Sequence, residues 1–126
     1  MGQAILLSEN RKQWDKLVKW QASMTVKRSR PLKIELPARV LVCVEGQIVG
    51  EMLVTHFFKT YNPGAFCQRS KIPVAELEAY AAEGPVFGWV IADVVNYEEP
   101  EQLDRIGVEQ EPASWVLVDV EEAWPG

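Results

Sequence analysis

The residues best suited to chemistry are the cations that directly precede the first proline of the chain. Lys27-Arg28-Ser29-Arg30 places three cations within four residues, and ammonium and guanidinium groups bind phosphate through charge-assisted hydrogen bonds. An aromatic ring nearby can stack on a base, and Trp89 within Phe87-Gly88-Trp89 is the candidate for such a wall. These residues predict a site for a ligand that carries phosphate or a base.

Signatures of common enzymes are absent: the chain has no glycine-rich phosphate loop, G-x-S-x-G elbow, H-E-x-x-H pair or calcium loop. Glu98-Glu99 and Glu121-Glu122 are sequence neighbours whose side chains diverge on a strand, so neither makes an acid–base pair. Cys43 lies in an apolar run and is predicted to pack in the core, and Cys67 forms no close pair with it. The lone His56 excludes a three-histidine zinc site, and we predict a strand residue there. We expect no metal and no cofactor.

A basic helix must position the cation cluster. Ala4-Ile5-Leu6-Leu7 predicts a short buried strand, and Ser8 or Asn10 can cap a helix over about residues 10–21. The helix has an apolar stripe at i, i+3 and i+4, formed by Trp14, Leu17 and Val18. Its lysines lie on the other side and are expected to face water. Residues 23–28 then alternate, which predicts an exposed or edge strand that Pro31 ends.

The rest of the chain predicts four more strands and a second helix. The runs 40–44 and 48–54 flank the turn Glu45-Gly46-Gln47 and predict a hairpin. Residues 61–69 are expected to form a loop, and residues 73–83 a helix that ends at Gly84-Pro85. Two strands over 86–97 and 115–120 follow, joined by an acidic connection with a helical turn near residues 101–105. The order β-α-β-β-β-α-β-β favours an α+β fold, a small mixed or antiparallel β-barrel of about six strands with two or three flanking helices.

Length and composition set the remaining bounds. The 126 residues predict a single domain over 1–126, and 48% apolar with 25% charged residues argues against disorder. No apolar run approaches the roughly 20 residues of a membrane span, and the N-terminus lacks a basic signal region, so we expect a cytoplasmic protein without a membrane partner.

Charge is strongly asymmetric along the chain. Residues 11–33 carry eight basic side chains against the single Asp15, whereas residues 74–126 carry thirteen acidic side chains against the single Arg105. A basic end can recruit phosphate although the whole chain has a net charge of -5, because salt screens distant repulsion. Alternatively, the acidic segment 74–126 can bind a protein partner.

Four motifs occur in a recognisable order. They are Ala4-Ile5-Leu6-Leu7-Ser8 ahead of a helix with Trp14 and a strand ending in Lys27-Arg28-Ser29-Arg30-Pro31; Val42-Cys43-Val44-Glu45-Gly46-Gln47-Ile48-Val49-Gly50-Glu51; Phe87-Gly88-Trp89; and Pro112-Ala113-Ser114-Trp115. In this order the chain resembles the small ASCH-domain proteins of the PUA-like superfamily over nearly its whole length. The resemblance implies a small β-barrel with a cleft that serves RNA or nucleotide-like ligands in relatives.

The chain departs from the motif that carries activity in this family. Members often show G-x-K-T-x-E-x-R before the proline, and in ASCH-like amidohydrolases that act on acetylated cytidine the Lys, Thr and Glu are the catalytic group. Counting back from Pro31 puts Ala22 and Thr25 at the Lys and Glu places, and a shift by two residues puts Met24 and Lys27 there. Neither register supplies both the amine and the carboxylate that turnover needs. The resemblance therefore implies ligand contact without turnover.

Three functions follow as hypotheses. The leading one is a non-catalytic module that binds RNA, single-stranded nucleic acid or a modified nucleotide through a basic cleft. Its ligand-binding residues would be Ser8, Ser23, Thr25, Lys27, Arg28 and Arg30, with Trp89 as the stacking wall. The second is a nucleoside amidohydrolase or ribonuclease that uses Ser23 as nucleophile and Glu51 or Asp93 as acid–base group. The third is a phage or mobile-element protein-interaction factor whose acidic face mimics nucleic acid.

Overall fold

A computed structural model describes residues 2–125. The strands are β1 Gly2–Ser8, β2 Met24–Lys27, β3 Ala38–Val44, β4 Gln47–Thr60, β5 Val86–Gln102 and β6 Trp115–Val120. The helices are α1 Arg11–Lys19, α2 Cys67–Ser70 and α3 Val74–Ala81. The strands form one six-stranded sheet in the order β2-β5-β4-β3-β1-β6, in which β1 and β3 are parallel and the other neighbours antiparallel. The expected α+β fold with a mixed sheet is confirmed.

The predicted hairpin joins β3 and β4. Val44 pairs with Gln47, and the two residues between them, Glu45 and Gly46, have φ values of 53° and 82°. Two consecutive residues with positive φ make the two-residue turn whose twist matches that of the flanking strands, and glycine takes this conformation at little cost. The turn therefore sets the register of the sheet's centre.

The unbroken apolar run of β1 reflects burial on both faces of the strand. Ile5 and Leu7 belong to the cluster that holds Trp14, whereas Ala4 and Leu6 pack on the opposite side with Trp124. A third cluster covers the outer face of β2 and β5 with α3 and consists of Met24, Val26, Leu77, Val86 and Val90. A strand covered on both sides does not alternate between apolar and polar residues, and the centre of β1 shows no such alternation.

Helix α1 begins where a side chain caps it. Asn10, rather than Ser8, occupies the N-cap, and its side-chain oxygen accepts the backbone N–H of Gln13 at 2.7 Å. This bond satisfies one of the amide donors that a helix start leaves without a partner. The helix ends at Lys19, two residues before the predicted boundary, and Gln21 then adopts a φ of 54° that turns the chain into β2.

The structure also differs from the sequence prediction in the lengths of two strands and in the segment that follows β4. Strands β4 and β5 extend to Thr60 and Gln102, because three register irregularities let the long pair bend and stay hydrogen-bonded. The predicted loop over 61–69 instead contains a 3₁₀ turn at Pro63–Phe66 and helix α2. Phe66 and Cys67 pack against the third apolar cluster, which explains why this segment is ordered into helical turns.

The sheet is not closed into a continuous barrel. Strands β2 and β6 are its edges, and no strand pairing joins them among residues 2–125. Side chains bridge the gap instead, since the indole N–H of Trp115 donates to the Ser29 hydroxyl at 2.9 Å. Next to it, the Ser8 amide donates to the Ser114 carbonyl at 2.7 Å. Ser29 and Ser114, which lie next to these edges, also line the pocket described below.

Candidate functional site

A pocket of about 480 Å³ lies between the end of β1, helix α1, strand β2 and helix α3. Its walls combine polar groups from β1, α1 and β2 with an apolar side formed by Val26, Ile72 and Leu77. A pocket of this size and mixed lining suits a small organic ligand with several polar atoms.

Three polar side chains from two elements meet in this pocket. The Thr25 hydroxyl donates to Glu9 Oε2 at 2.8 Å, and Lys27 Nζ donates to Glu9 Oε1 at 3.0 Å and to the Ser8 carbonyl at 3.2 Å. Thr25 and Lys27 are two residues apart on β2, so their side chains leave the strand on the same face. Glu9 directly follows β1, where its amide is fixed by the Cys43 carbonyl at 2.8 Å.

This Glu9–Thr25–Lys27 cluster is almost withdrawn from bulk water. The side chains of Glu9 and Lys27 are only 3% and 13% exposed, and Thr25 is buried. A buried carboxylate needs hydrogen-bond donors to offset its lost hydration, and here both of its oxygens have one. The cluster brings a hydroxyl, a carboxylate and an ammonium group together at the wall of the pocket.

Glu9 is the residue that sequence reasoning missed. The two motif registers placed no carboxylate beside Thr25 and an amine, because both looked for one within the strand that follows the first helix. The structure brings the carboxylate in from the end of β1, sixteen residues before Thr25. The available signal was a charged residue directly after a strand with a fully apolar centre, since such a residue stands at the edge of the core.

Arg28 and Tyr80 also line this pocket. The Arg28 guanidinium lies 3.7 Å from the centre of the Tyr80 ring, bonds to the Tyr80 carbonyl and contacts Glu83 Oε2 at 2.9 Å. Burial raises the pKa of the Tyr80 phenol, which the Arg28 charge partly offsets, so this ring is neutral at physiological pH. The stacked pair presents a flat surface beside the pocket.

Four of the seven predicted ligand-binding residues line the pocket: Ser8, Thr25, Lys27 and Arg28. The other three lie elsewhere. The Ser23 hydroxyl accepts from Arg69 Nε at 3.3 Å, and Arg30 bonds to the Pro31 carbonyl at 2.9 Å while lying over the Phe57 ring.

The expected stacking wall is a core residue. Trp89 has no exposed surface, its indole N–H donates to the Ser29 carbonyl at 3.2 Å, and the Phe57 ring meets it edge-on at 5.1 Å. A ring enclosed on all sides has no face left for a base. The stacked surface at the pocket belongs instead to Arg28 and Tyr80.

Helix α1 contributes more to the pocket than its sequence pattern suggested. Lys12, Gln13 and Lys16 line the pocket, although the lysine side of the helix was expected to face only water. Gln13 is buried, and its amide donates to the Ser70 carbonyl at 3.1 Å. Residues three and four apart share one face of a helix, and Lys16 lies three residues after Gln13 and four after Lys12, which places it beside both at the cavity.

The residues of the alternative enzyme hypothesis do not meet at this site. None of Ser23, Glu51 and Asp93 lines the pocket. Glu51 is bound by Arg39 Nε at 2.7 Å and by the Tyr97 hydroxyl at 2.8 Å. A pair made of Ser23 and either acid therefore lacks support in the geometry of the described residues.

Cys43 packs in the core and His56 lies on a strand, as their sequence positions predicted. Cys43 is buried, and burial together with the bond from its thiol to Glu111 raises its pKa to about 12, so the thiol stays protonated. His56 is an exposed strand residue whose ring stacks on Phe58, with the ring centres 6.0 Å apart.

Within residues 2–125, no three His, Cys, Asp or Glu side chains are grouped as metal ligands. No helix in the same range is long and apolar enough to cross a membrane.

The acidic residues of the second half are spread over several elements. They lie on α3, on β5, on the connection to β6 and around β6 itself. Several have partners: Glu76 approaches Lys12, Glu83 binds Arg28, and Glu101 binds Arg105. This distribution does not favour the phosphate-like stripe that nucleic-acid mimicry requires, and the protein-partner hypothesis stays a prediction.

Comparison with known proteins shows the fold. No protein-family model and no curated sequence matches the chain. The crystal structure of ASCH from Zymomonas mobilis is similar with a TM-score of 0.75 at 16% identity, covering 92% of this chain and 87% of that one. A serine-to-alanine mutant of the same protein gives a TM-score of 0.78 at 13% identity, covering 92% and 88%. The N-terminal domain of Staphylothermus marinus McrB gives 0.54 at 10% identity, covering 82% and 78%.

The sheet order, the helices and these likenesses define an α+β fold with a six-stranded mixed sheet. More particularly, the chain has the ASCH-domain fold that its four motifs predicted.

Proposed function

We propose that this protein binds a nucleotide-like ligand, free or at the end of an RNA strand, in the pocket between α1, β2 and α3. The observation that carries the proposal is the convergence of Ser8, Thr25, Lys27 and Arg28 on one cavity of about 480 Å³. Hydroxyl and ammonium groups can bind the polar edge of a base or a sugar, and a guanidinium plane can stack on a base.

Binding is tested by calorimetric titration with ribonucleosides, nucleotides and short RNAs at low and at physiological salt. We expect Arg28→Ala to weaken binding about tenfold, because a stacking contact contributes about 1–3 kcal/mol. Arg30→Ala is the matched control, since Arg30 lies close in sequence but does not line the pocket. Absence of binding to every ligand at low salt would refute the proposal, and equal losses in both variants would argue for non-specific charge attraction.

A second candidate function, hydrolysis of an acyl group, is favoured by the Glu9–Thr25–Lys27 cluster. The Thr25 hydroxyl would attack a carbonyl carbon while its proton passes to Glu9 over the existing 2.8 Å hydrogen bond. Glu9 would return that proton to the leaving amine, and water would then release the acyl group from Thr25. Lys27 would hold the carboxylate in place through its 3.0 Å contact.

This candidate is tested by incubation with N4-acetylcytidine and, separately, with mixed RNA, followed by product analysis. Release of cytidine and acetate that Thr25→Val and Glu9→Gln both abolish would support the hydrolase, provided that both variants still bind cytidine. Absence of product from either substrate would leave the chain as a binding module.

A further inference from the structure

We infer that the pocket prefers ligands with a terminal phosphate monoester, and that Lys16 and Lys12 on helix α1 form the phosphate subsite. The inference rests on the proposed function and specifies which ligands this pocket selects. The ligand-binding residues named from the sequence did not include these two lysines.

The cations of the pocket are not equally available to a ligand. Lys27 is held by Glu9 at 3.0 Å, and Arg28 is held by Glu83 at 2.9 Å and by backbone carbonyls of the α3 segment. The Lys27 charge is neutralised by a buried carboxylate, so a phosphate placed there would have to displace Glu9. The Arg28 guanidinium already donates to two backbone carbonyls, and a phosphate placed there would have to displace those hydrogen bonds.

Helix α1 supplies the positive charge that remains. Among residues 2–125, no carboxylate lies within ion-pair distance of Lys16, whose side chain lines the pocket. Lys12 approaches Glu76 only at 3.8 Å, and both side chains are mostly exposed, so water screens this contact and a ligand can displace it at little cost.

The spacing of the two lysines suits one dianionic group. Residues four apart on a helix lie about 6 Å from each other, so two flexible ammonium groups can converge on a single phosphate. Glu9 precedes the helix and lines the same pocket as Lys16. A nucleotide can therefore place its base or sugar at the Glu9–Thr25–Lys27 cluster and its phosphate at α1.

The test compares ribonucleosides with their 5′- and 3′-monophosphates by calorimetry at low salt. We expect at least one monophosphate to bind about tenfold more tightly than its nucleoside, as a charge-assisted hydrogen bond implies. The preference should decrease below about pH 6, where the dianion of a phosphate monoester takes up one proton and becomes a monoanion.

Lys16→Gln should remove most of this preference and leave nucleoside affinity within about twofold. Lys19→Gln is the matched control, because Lys19 lies on the same helix, pairs with Asp15 and does not line the pocket. Lys12→Gln provides a second variant and should show a smaller loss.

Two outcomes overturn the inference while the proposed function stands: nucleosides bind as tightly as their monophosphates, or Lys16→Gln and Lys19→Gln weaken monophosphate binding equally. If neither nucleosides nor monophosphates bind, both the subsite and the proposed function fail.

Discussion

At the scale of single residues, the most informative feature is a buried ion pair that stability alone does not explain. Removing Glu9 and Lys27 from water costs several kcal/mol, and their attraction repays this only in part, so a pair of apolar side chains would serve the core as well. Both groups nevertheless lie at the wall of a pocket and keep the Thr25 hydroxyl oriented. This placement is what a binding or reacting group requires.

Glu9→Gln tests how strongly the ion pair depends on its charge. The variant leaves the Lys27 ammonium poorly compensated in a largely buried position, and we expect unfolding to require about 3 kcal/mol less. Chemical denaturation of the folded chain measures the difference. Glu83→Gln is the comparison, because Glu83 also pairs with a cation but its side chain is 81% exposed, so a loss below about 1 kcal/mol is expected. Equal losses would contradict the burial argument.

At the scale of elements, the pocket depends on how closely helix α1 approaches the sheet. Trp14 lies against Gly50 of β4, and its indole N–H reaches Asn96 on β5 at 3.3 Å. A side chain at position 50 would hold the helix away from the sheet. The same contact sets the rotation of α1, which directs Gln13 and its basic neighbours to the pocket.

Gly50→Ala should therefore be strongly destabilising. The added Cβ would lie 2.3 Å from the Val95 carbonyl oxygen and 2.5 Å from the Trp14 ring, and a backbone atom cannot rotate away. Overpacking of this kind costs about 3 kcal/mol. Gly2→Ala is the control, since no atom lies within 4 Å of the added group, and its thermal midpoint should be unchanged. A stable Gly50→Ala variant would show that α1 can move.

At the scale of the whole molecule, the end of the chain is tied back to the sheet by a polar network. Arg39 on β3 pairs with Glu51 on β4 and donates to the Trp124 carbonyl at 2.6 Å. The Tyr97 hydroxyl on β5 donates to Glu51 and accepts the Trp124 indole N–H at 3.1 Å. Burial alone would raise the pKa of Glu51, but the hydrogen bonds from Arg39 and Tyr97 outweigh it and lower the pKa.

This network predicts a specific acid sensitivity. Because the pKa of Glu51 is lower in the folded chain than its ordinary value of 4.5, its contribution is complete above pH 4.5 and is lost as the pH falls through the lowered folded value. Glu51→Gln should cost about 2 kcal/mol at pH 7 and flatten the pH dependence of unfolding below the ordinary pKa of 4.5. Tyr97→Phe should reduce that dependence only in part. If the Glu51→Gln variant loses stability in acid as the unmodified chain does, the acid sensitivity arises from other carboxylates.

Much of the architecture could be predicted from local patterns, and the errors arise where tertiary packing and strand pairing decide the structure. The apolar run of β1, the Glu45-Gly46 turn and the Trp14 stripe each indicate their element, because burial and positive φ restrict which residues can stand there. The segment 61–69 was misjudged, since Asn62-Pro63-Gly64 suggests a loop whereas tertiary packing of Phe66 orders it. The ends of β4 and β5 depend on register irregularities that leave no mark in composition.

The amino-acid sequence by itself determined the kind of fold and the half of the chain that carries positive charge, because periodicity, turn residues and residue counts are properties of neighbours along the chain. Only the tertiary structure decided which charges remain available. It paired Lys27 with Glu9 and Arg28 with Glu83, enclosed Trp89 in the core and directed Lys16 to the pocket. Ion pairing and burial depend on distances between residues far apart in the chain, and a folded sheet is what brings those residues within reach.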